Sequence, residues 1–479
     1  MRRTKIVATL GPATDKPEVL RGIIAAGLDV ARFNFSHGDY EGHKKRLDDM
    51  RKACEETGAT IALLADTKGP EIRLGTFQGD RTELVTGSAF VLTSDQVEGD
   101  STKVSITYQD LPREVTPGAK ILLDDGLIEL KVESVSGTCI NTRVIAGGPI
   151  SNRKGVNVPD ISLDMPYISS KDRSDLRFFV ENGFDYIAAS FVRSADDVRE
   201  IRDELNRLDS KNKIKIIAKI ENSEGVRNAD SIISHADGLM VARGDLGVEV
   251  AFEEVPVIQK SLIKMCISNG KPVITATQML ESMITNARPT RAEAADVANA
   301  IYDGTSAIML SGETAAGKYP VEAITTMSRI AQRIEKEIDY RQRIRSSDYK
   351  DDGSITSAIS HATVTTAHDL RASAILSVSN RGITPTAVSK FRPSCPIIAC
   401  TPDPVTQRQL KLVWGVIPLL TATGPDTSTL FSNAIEVAKE KGHINDGDVV
   451  VLTAGIPVGQ VGNTNMLKVH IIGEKISIS

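Results

Sequence analysis

Eight short apolar runs, rich in β-branched residues, alternate with amphipathic stretches over the first two thirds of this chain, and that alternation leaves few folds open. The runs lie at 5–10, 30–34, 60–66, 186–192, 215–220, 238–241, 273–277 and 306–310. Helical spacing covers 17–26, 171–182, 195–208 and 255–269. Strand–helix alternation is the pattern of a parallel α/β protein, and eight such units are the count of a (β/α)8 TIM barrel.

The alternation breaks once. From about 69 to 165 short alternating strands and turns replace the helices, as in KILLDDGLIELKV at 120–132, where Asp125-Gly126 is a hairpin signal. This segment reads as a small β domain inserted between the third and fourth strands. Segments 1–68 and 166–340 then make a barrel close to the ~250 residues typical of the fold. A polar stretch at 341–354 reads as a seam. Beyond it, 341–479 reads as a third, α/β unit, with strands expected at 374–378, 397–400, 415–419, 448–452 and 467–472.

Bulk properties exclude several classes. The net charge of −5 and the absence of a long basic run argue against nucleic acid or an anionic membrane as a partner. Aromatic content of 4%, with Trp414 the sole tryptophan, disfavours a base-stacking surface. No apolar run reaches the ~20 residues of a membrane helix, and the MRRTKIVATLGP start lacks the hydrophobic region of a secretion signal. Five cysteines (Cys54, Cys139, Cys266, Cys395, Cys400) without a CxxC read as free thiols in a reducing cytoplasm.

If a barrel forms, its active site belongs at the carboxyl ends of the strands, and those ends are polar. KIIAKIEN at 215–222 finishes in Lys219, Glu221 and Asn222, and GLMVARGDLG at 238–247 in Arg243 and Asp245. Glu221 and Asp245 offer two hard carboxylates, which suits Mg²⁺. Lys219, two residues before Glu221, shares its face of the strand. A metal beside an ammonium is what a transferring phosphoryl group needs. Arg32 offers a planar fork for phosphate or carboxylate. Asn34, Ser36, Asp66 and Thr67 could supply oxygens to a larger monovalent cation, although such residues also cap helices. Gly244 and Gly69 permit close backbone approach, and His37 reads as a phosphate or nucleotide contact.

In chain order, RFNFSHG at 32–38, DTKGPEIR at 66–73, KGVNVP at 154–159, KIEN at 219–222, ARGDLG at 242–247, TATQMLESM at 275–283 and SGETAAGKYP at 311–320 resemble the pyruvate kinase family. The resemblance spans essentially the whole chain. It implies phosphoryl transfer from phosphoenolpyruvate to ADP, giving pyruvate and ATP, by a barrel with a β-barrel lid and a C-terminal regulatory domain. By the same resemblance Lys219 stabilises the phosphoryl and the enolate, and Arg32 grips the phosphate. Gly244, Asp245 and Thr277 position the substrate carboxylate. Glu221 and Asp245 hold Mg²⁺, and Asn34, Ser36, Asp66 and Thr67 hold K⁺. Asn34, His37, Arg73 and Lys154 contact the nucleotide. Glu71 occupies the position whose glutamate accompanies K⁺ dependence in the family. The proton donor to the enolate is open between Thr277, Ser311 and a water chain.

The loop Ser379-Asn380-Arg381-Gly382-Ile383-Thr384 resembles the family's effector loop, with the arginine displaced to 381. Its expected ligand is a sugar phosphate or AMP, with a second loop at 455–465 closing over it. The end at Ser479, just after the last expected strand, implies no further phosphotransfer-like domain, and relatives suggest a homotetramer. Two rivals stand beside this reading: another Mg²⁺-dependent barrel such as an aldolase or mutase, and a non-enzymatic metabolite sensor.

Overall fold

The computed structural model describes residues 2–209, 211, 213–346, 353–424, 426–456 and 464–476. Eight strands form its centre: β1 (Lys5–Thr9), β2 (Val30–Asn34), β3 (Ala62–Asp66), β4 (Tyr186–Ala189), β5 (Lys215–Ile220), β6 (Gly238–Ala242), β7 (Val273–Ala276) and β8 (Ala307–Leu310). They close a parallel barrel in which each strand pairs with its neighbours in sequence and β1 with β8. This is the TIM barrel expected from the sequence.

The runs are apolar throughout because both faces of every strand are covered. On β5, Ile216, Ala218 and Ile220 pack outward among the helices, whereas Ile217 points to the barrel axis with Val7, Leu64, Met240, Ile274 and Met309. Alternation therefore puts Lys215, Lys219 and Glu221 on the axial side. Helix starts follow local chemistry. Ser194 and Asp197 make a reciprocal cap that opens Ala195–Leu208. Thr290 and Glu293 do the same for Arg291–Asp303, leaving Pro289 outside that helix.

Between β3 and β4 a seven-stranded sheet curls over a core that includes Phe90, Leu92, Ile121, Leu130 and Ile140. Its two edges meet at the bridge Leu74–Ile106, where Gly75 N–H reaches Ser105 O at 2.8 Å and Thr107 N–H reaches Arg73 O at 2.9 Å. The Asp125-Gly126 hairpin joins Lys120–Leu123 to Ile128–Ser136, but through four residues rather than two. Asp124, Asp125 and Gly126 all have positive φ, at 50°, 54° and 84°.

The C-terminal unit is a five-stranded sheet: β9 (Ala374–Val378), β10 (Ile397–Thr401), β11 (Val416–Leu420), β12 (Val449–Ala454) and β13 (Met466–Ile471). Its order is β11-β10-β9-β12-β13, and only β13 runs antiparallel. The expected seam at 341–354 lies partly outside the described residues, as does most of the loop at 455–465. All five cysteines are free. Among the described residues no helix is long and apolar enough to cross a membrane.

The C-terminal unit caps the barrel floor. Leu412, fully buried, joins the axial cluster, and Tyr186 Oη donates to Gln409 O at 2.6 Å. Beside it Arg408 meets both oxygens of Asp185, at 3.0 and 3.1 Å. Burial pushes the Asp185 carboxyl up to about 6 from an ordinary 3.8, against the pull of Arg408. A carboxyl raised in this way favours the folded state at low pH and loses that advantage as pH rises from about 4 through 6. Arg408→Ala removes the cation that pulls the buried Asp185 carboxyl down, so the carboxyl moves further up and the folded state is destabilised at pH 7. The expected cost is about 3 kcal/mol, shrinking below pH 6 as Asp185 takes up a proton. Denaturant unfolding at pH 7.5 and pH 5 checks this.

Candidate active site

At the roof of the barrel the axial face of β5 meets the end of β3. The Lys219 ammonium lies 3.1 Å from Asp66 Oδ1, 2.9 Å from Glu221 Oε1 and 2.8 Å from Ser190 Oγ. Arg32, from β2, donates through Nε to Asp66 Oδ2 at 2.7 Å and through Nη1 to Thr9 Oγ1 at 2.9 Å. All four charged groups are buried. Burial works to lower the Lys219 ammonium, but Asp66 and Glu221 outweigh it and its pKa rises. Burial works to raise Asp66, but Arg32 and Lys219 hold it below the usual carboxylate value. Glu221 moves upward: burial dominates, Lys219 opposes it and Asp245 adds to it.

Glu221 Oε2 accepts the Phe191 N–H at 2.6 Å, and Phe191 sits at φ 55° to make that contact. Asp245, in the first turn of the helix Arg243–Glu249, has no hydrogen-bond or ion-pair partner among the described residues. Two buried or half-buried carboxylates, one with a free ligating face, fit a hard divalent cation that takes its other ligands from substrate and water. Among the described residues no group of three or more His, Cys, Asp or Glu is assembled for a metal.

Strand β7 runs into Thr277 and Gln278, both in the left-handed region at φ 68° and 53°. Arg243 braces that turn: it clasps Asp296 with two bonds of 2.7 Å and donates to Thr277 O at 2.6 Å. Thr277 Oγ1 accepts the Gly244 N–H at 2.8 Å and donates to Ala276 O at 2.6 Å. Glu313 ties the next turn, accepting Leu280 N–H at 3.0 Å and Ser311 N–H at 2.8 Å. Ser311 Oγ is buried without a partner among the described residues.

Asn34 and Asp66 stand side by side in the β2–β3 register, with Thr67 next along the chain. Asn34 Oδ1 accepts the Ser36 N–H at 3.1 Å, and Thr67 O accepts Ser190 Oγ at 2.7 Å. These four oxygen-bearing residues thus gather at one corner, but Asp66 is largely engaged by Arg32 and Lys219. Gly69, at φ 70°, passes so close to β4 that a Cβ would lie 2.7 Å from Ser190 O.

A cleft of about 350 Å³ opens between the barrel roof and the inserted domain. His37, Glu71, Arg73, Lys154 and Asp245 all line it. Arg73 pairs with Glu71 at 2.8 Å and Lys154 with Asp124 at 2.8 Å. The inserted domain touches the barrel through Asn157 Nδ2 to Glu249 Oε1 at 2.8 Å and Ser162 Oγ to Glu224 Oε2 at 2.9 Å.

The loop from Ser379 to Thr384, expected to take an effector, follows β9 in the C-terminal unit and lines no part of this cleft. Gly382 turns the chain at φ 72° into the helix Ile383–Lys390. Asn380 and Arg381 are exposed and Ser379 is half-buried. Thr384 is buried, its hydroxyl 2.8 Å from that of Thr464.

Sequence reasoning passed over Ser190, Thr9 and the Arg243–Asp296 clasp. Ser190 lay inside the fourth apolar run, 186–192, although the strand itself ends at Ala189. Asp296 carried no signal, because it lies on a helix dozens of residues from the arginine it holds.

A family model described as "Pyruvate kinase, barrel domain" matches residues 1–324, and one described as "Pyruvate kinase, alpha/beta domain" matches 357–470. Pyruvate kinase from Geobacillus stearothermophilus is 51% identical over 478 residues, covering 99% of this chain and 81% of the relative. That from Sporosarcina psychrophila is 49% identical over 479 residues, covering 100% and 82%. That from Clostridium acetobutylicum is 47% identical over 473 residues, covering 98% and 100%. The crystal structure of a pyruvate kinase from Cryptosporidium parvum superposes with a TM-score of 0.92 at 41% identity, covering 98% of this chain and 96% of that one. The chain belongs to the pyruvate kinase family and is a phosphotransferase.

Ser190→Ala removes one of the three groups that fix the Lys219 ammonium. Hydrogen bonds to a charged group contribute about 1.5–3 kcal/mol, so kcat for phosphoryl transfer is expected to fall about ten- to hundredfold. Steady-state kinetics with both substrates saturating checks this.

Proposed function

We propose that phosphoryl transfer from phosphoenolpyruvate to ADP takes place at the Lys219–Glu221 corner, with Mg²⁺ and K⁺ required. The observation that carries this reading is the buried cluster of Arg32, Asp66, Lys219 and Glu221, opening beside an unpartnered Asp245. Phosphoryl transfer asks little covalent chemistry of a protein and much positioning and positive charge. Lys219 provides a fixed ammonium for the phosphoryl group in flight and for the enolate left behind. Arg32 orients the phosphate with its free N–H groups, while Asp66 locks its plane. Gly244, Asp245 and Thr277 would position the substrate carboxylate, from a turn in which the Gly244 N–H bonds Thr277 Oγ1. Glu221 and Asp245 would hold Mg²⁺, which when bound supplies concentrated positive charge at the phosphoryl oxygens. Asn34, Ser36, Asp66 and Thr67 would hold K⁺.

ADP belongs in the cleft lined by His37, Arg73 and Lys154, with Asn34 as a further nucleotide contact. In this assignment 1–68 and 166–340 form the barrel domain, 69–165 the lid and 341–479 the regulatory domain of a cytoplasmic homotetramer. The loop from Ser379 through Thr384 would cradle the phosphate of a sugar-phosphate or AMP effector. The turn at Gly382 into a helix supports that role.

Pyruvate formation is the direct test. Turnover should need phosphoenolpyruvate, ADP, Mg²⁺ and K⁺ together, and Lys219→Met should lower kcat at least a thousandfold, or about 4 kcal/mol. An aldolase- or mutase-like barrel would turn over without ADP, and a sensor would not turn over at all. Glu71→Lys places a fixed cation where the monovalent ion acts, so this variant should work in buffer whose only monovalent cation is a bulky organic one. Strong activity of the parent protein in that buffer refutes the K⁺ requirement.

A further inference from the structure

The turn that follows β2 carries Ser36 and His37, and of the two only His37 lines the cleft assigned to ADP. Its backbone is held by different groups on either side of Ser36. On the strand side, the Phe35 N–H reaches Asp66 O at 3.0 Å, and the Phe35 carbonyl accepts the Lys171 ammonium at 3.1 Å. Asn34 Oδ1 accepts the Ser36 N–H at 3.1 Å. On the other side the His37 carbonyl meets the ring of His43, whose Nε2 lies 2.8 Å away. Gly38, at φ 79°, lets the ring come this close, since a Cβ there would lie 3.4 Å from Nε2. Asp39 then caps the helix Tyr40–Thr57, accepting the Gly42 N–H at 2.8 Å.

Packing alone does not call for a histidine at position 43. The ring is buried and stacked on Phe35, with 4.0 Å between centroids and 19° between planes. A carbonyl can only accept, so Nε2 carries the proton and donates it, which leaves Nδ1 as an acceptor. Nδ1 is buried and has no partner among the described residues. Burial lowers the ring's pKa from an ordinary 6.5, against the pull of the His37 carbonyl, and so favours this neutral form. A leucine or phenylalanine would pack on Phe35 without stranding a ring nitrogen. Neither could hold the His37 carbonyl.

We propose that His43 is a positioning residue for the nucleotide: its Nε2–H fixes the His37 carbonyl and so sets the His37 side chain on the wall of the cleft. This role rests on the reading that His37 contacts ADP there. Ser36 keeps its own ties, through Asn34 directly and through Phe35 to Asp66 and Lys171. Loss of the His43 donor is therefore confined to the nucleotide side of the turn and spares the corner assigned to K⁺.

Initial rates of pyruvate formation, with ADP, phosphoenolpyruvate and K⁺ varied in turn, test this role. His43→Leu and His43→Phe keep the site filled but remove the donor, and His43→Leu serves if the larger ring overfills it. His43→Gln returns an N–H close to the place of Nε2. In the two apolar variants the KM for ADP should rise about three- to tenfold, the worth of one hydrogen bond. In His43→Gln it should stay within about twofold of the parent, and in all three variants so should the KM for phosphoenolpyruvate and the K⁺ concentration for half-activation. An unchanged ADP KM in both apolar variants overturns the proposal. A His43→Gln protein no better than they are also overturns it, because packing rather than the donor would then decide the effect. So does an equal change in the phosphoenolpyruvate and K⁺ constants, the mark of a turn loosened as a whole. His37→Ala separates this role from the reading beneath it. A raised ADP KM in His37→Ala, with none in His43→Leu, defeats the positioning role alone. An unchanged ADP KM in His37→Ala defeats the nucleotide contact and the positioning role with it.

Discussion

Arg32, Asp66, Lys219 and Glu221 are buried together at the top of the barrel, and each is tolerable only because the others are present. An isolated charge at that depth would shed or take up a proton; here the pairing keeps Lys219 and Asp66 charged, while burial still moves Glu221 upward. The consequence is an ammonium that stays protonated and stays in place. It is fixed from three directions by the fold alone. The neighbouring turns extend the same rigidity. Phe191 and Thr277 hold left-handed conformations against Glu221 and Arg243, strain that a loosely packed loop would relax.

The inserted domain stands on a different footing. Its own sheet curls until its edges touch, and it has an independent hydrophobic core. Among its contacts with the barrel are the hydrogen bonds Asn157–Glu249 and Ser162–Glu224. Polar contacts of that kind exchange readily with water, so a body held this way can open and close as a unit. Glu249 ends the helix whose first turn carries Asp245, so the hydrogen bond from Asn157 ties the inserted domain to the element that holds that carboxylate.

Much of this was legible in the chain. The barrel strands announced themselves because two covered faces demand unbroken apolar runs, and the polar residues that end them stood out against that background. Lys219, Glu221 and Asp245 could be grouped from spacing alone. What sequence spacing could not carry was long-range pairing. Nothing in the order of residues says that Leu412 plugs the barrel floor or that Arg408 meets Asp185. The hairpin at Asp125-Gly126 was visible as a turn, but its four-residue length depends on three successive left-handed residues that two letters do not encode. Ser190 was hidden inside a run counted as strand.

Strand β5 bears on how this chain can change over evolutionary time. Its alternation sets three ionisable side chains on the axis and three aliphatic ones against the helices. A single-residue insertion or deletion within it would exchange the two sets, driving charge into the helical layer and filling the axis with methyl groups. Drift in this stretch is therefore confined to substitution, one position at a time. The exposed connections around the barrel remain free to lengthen or shorten.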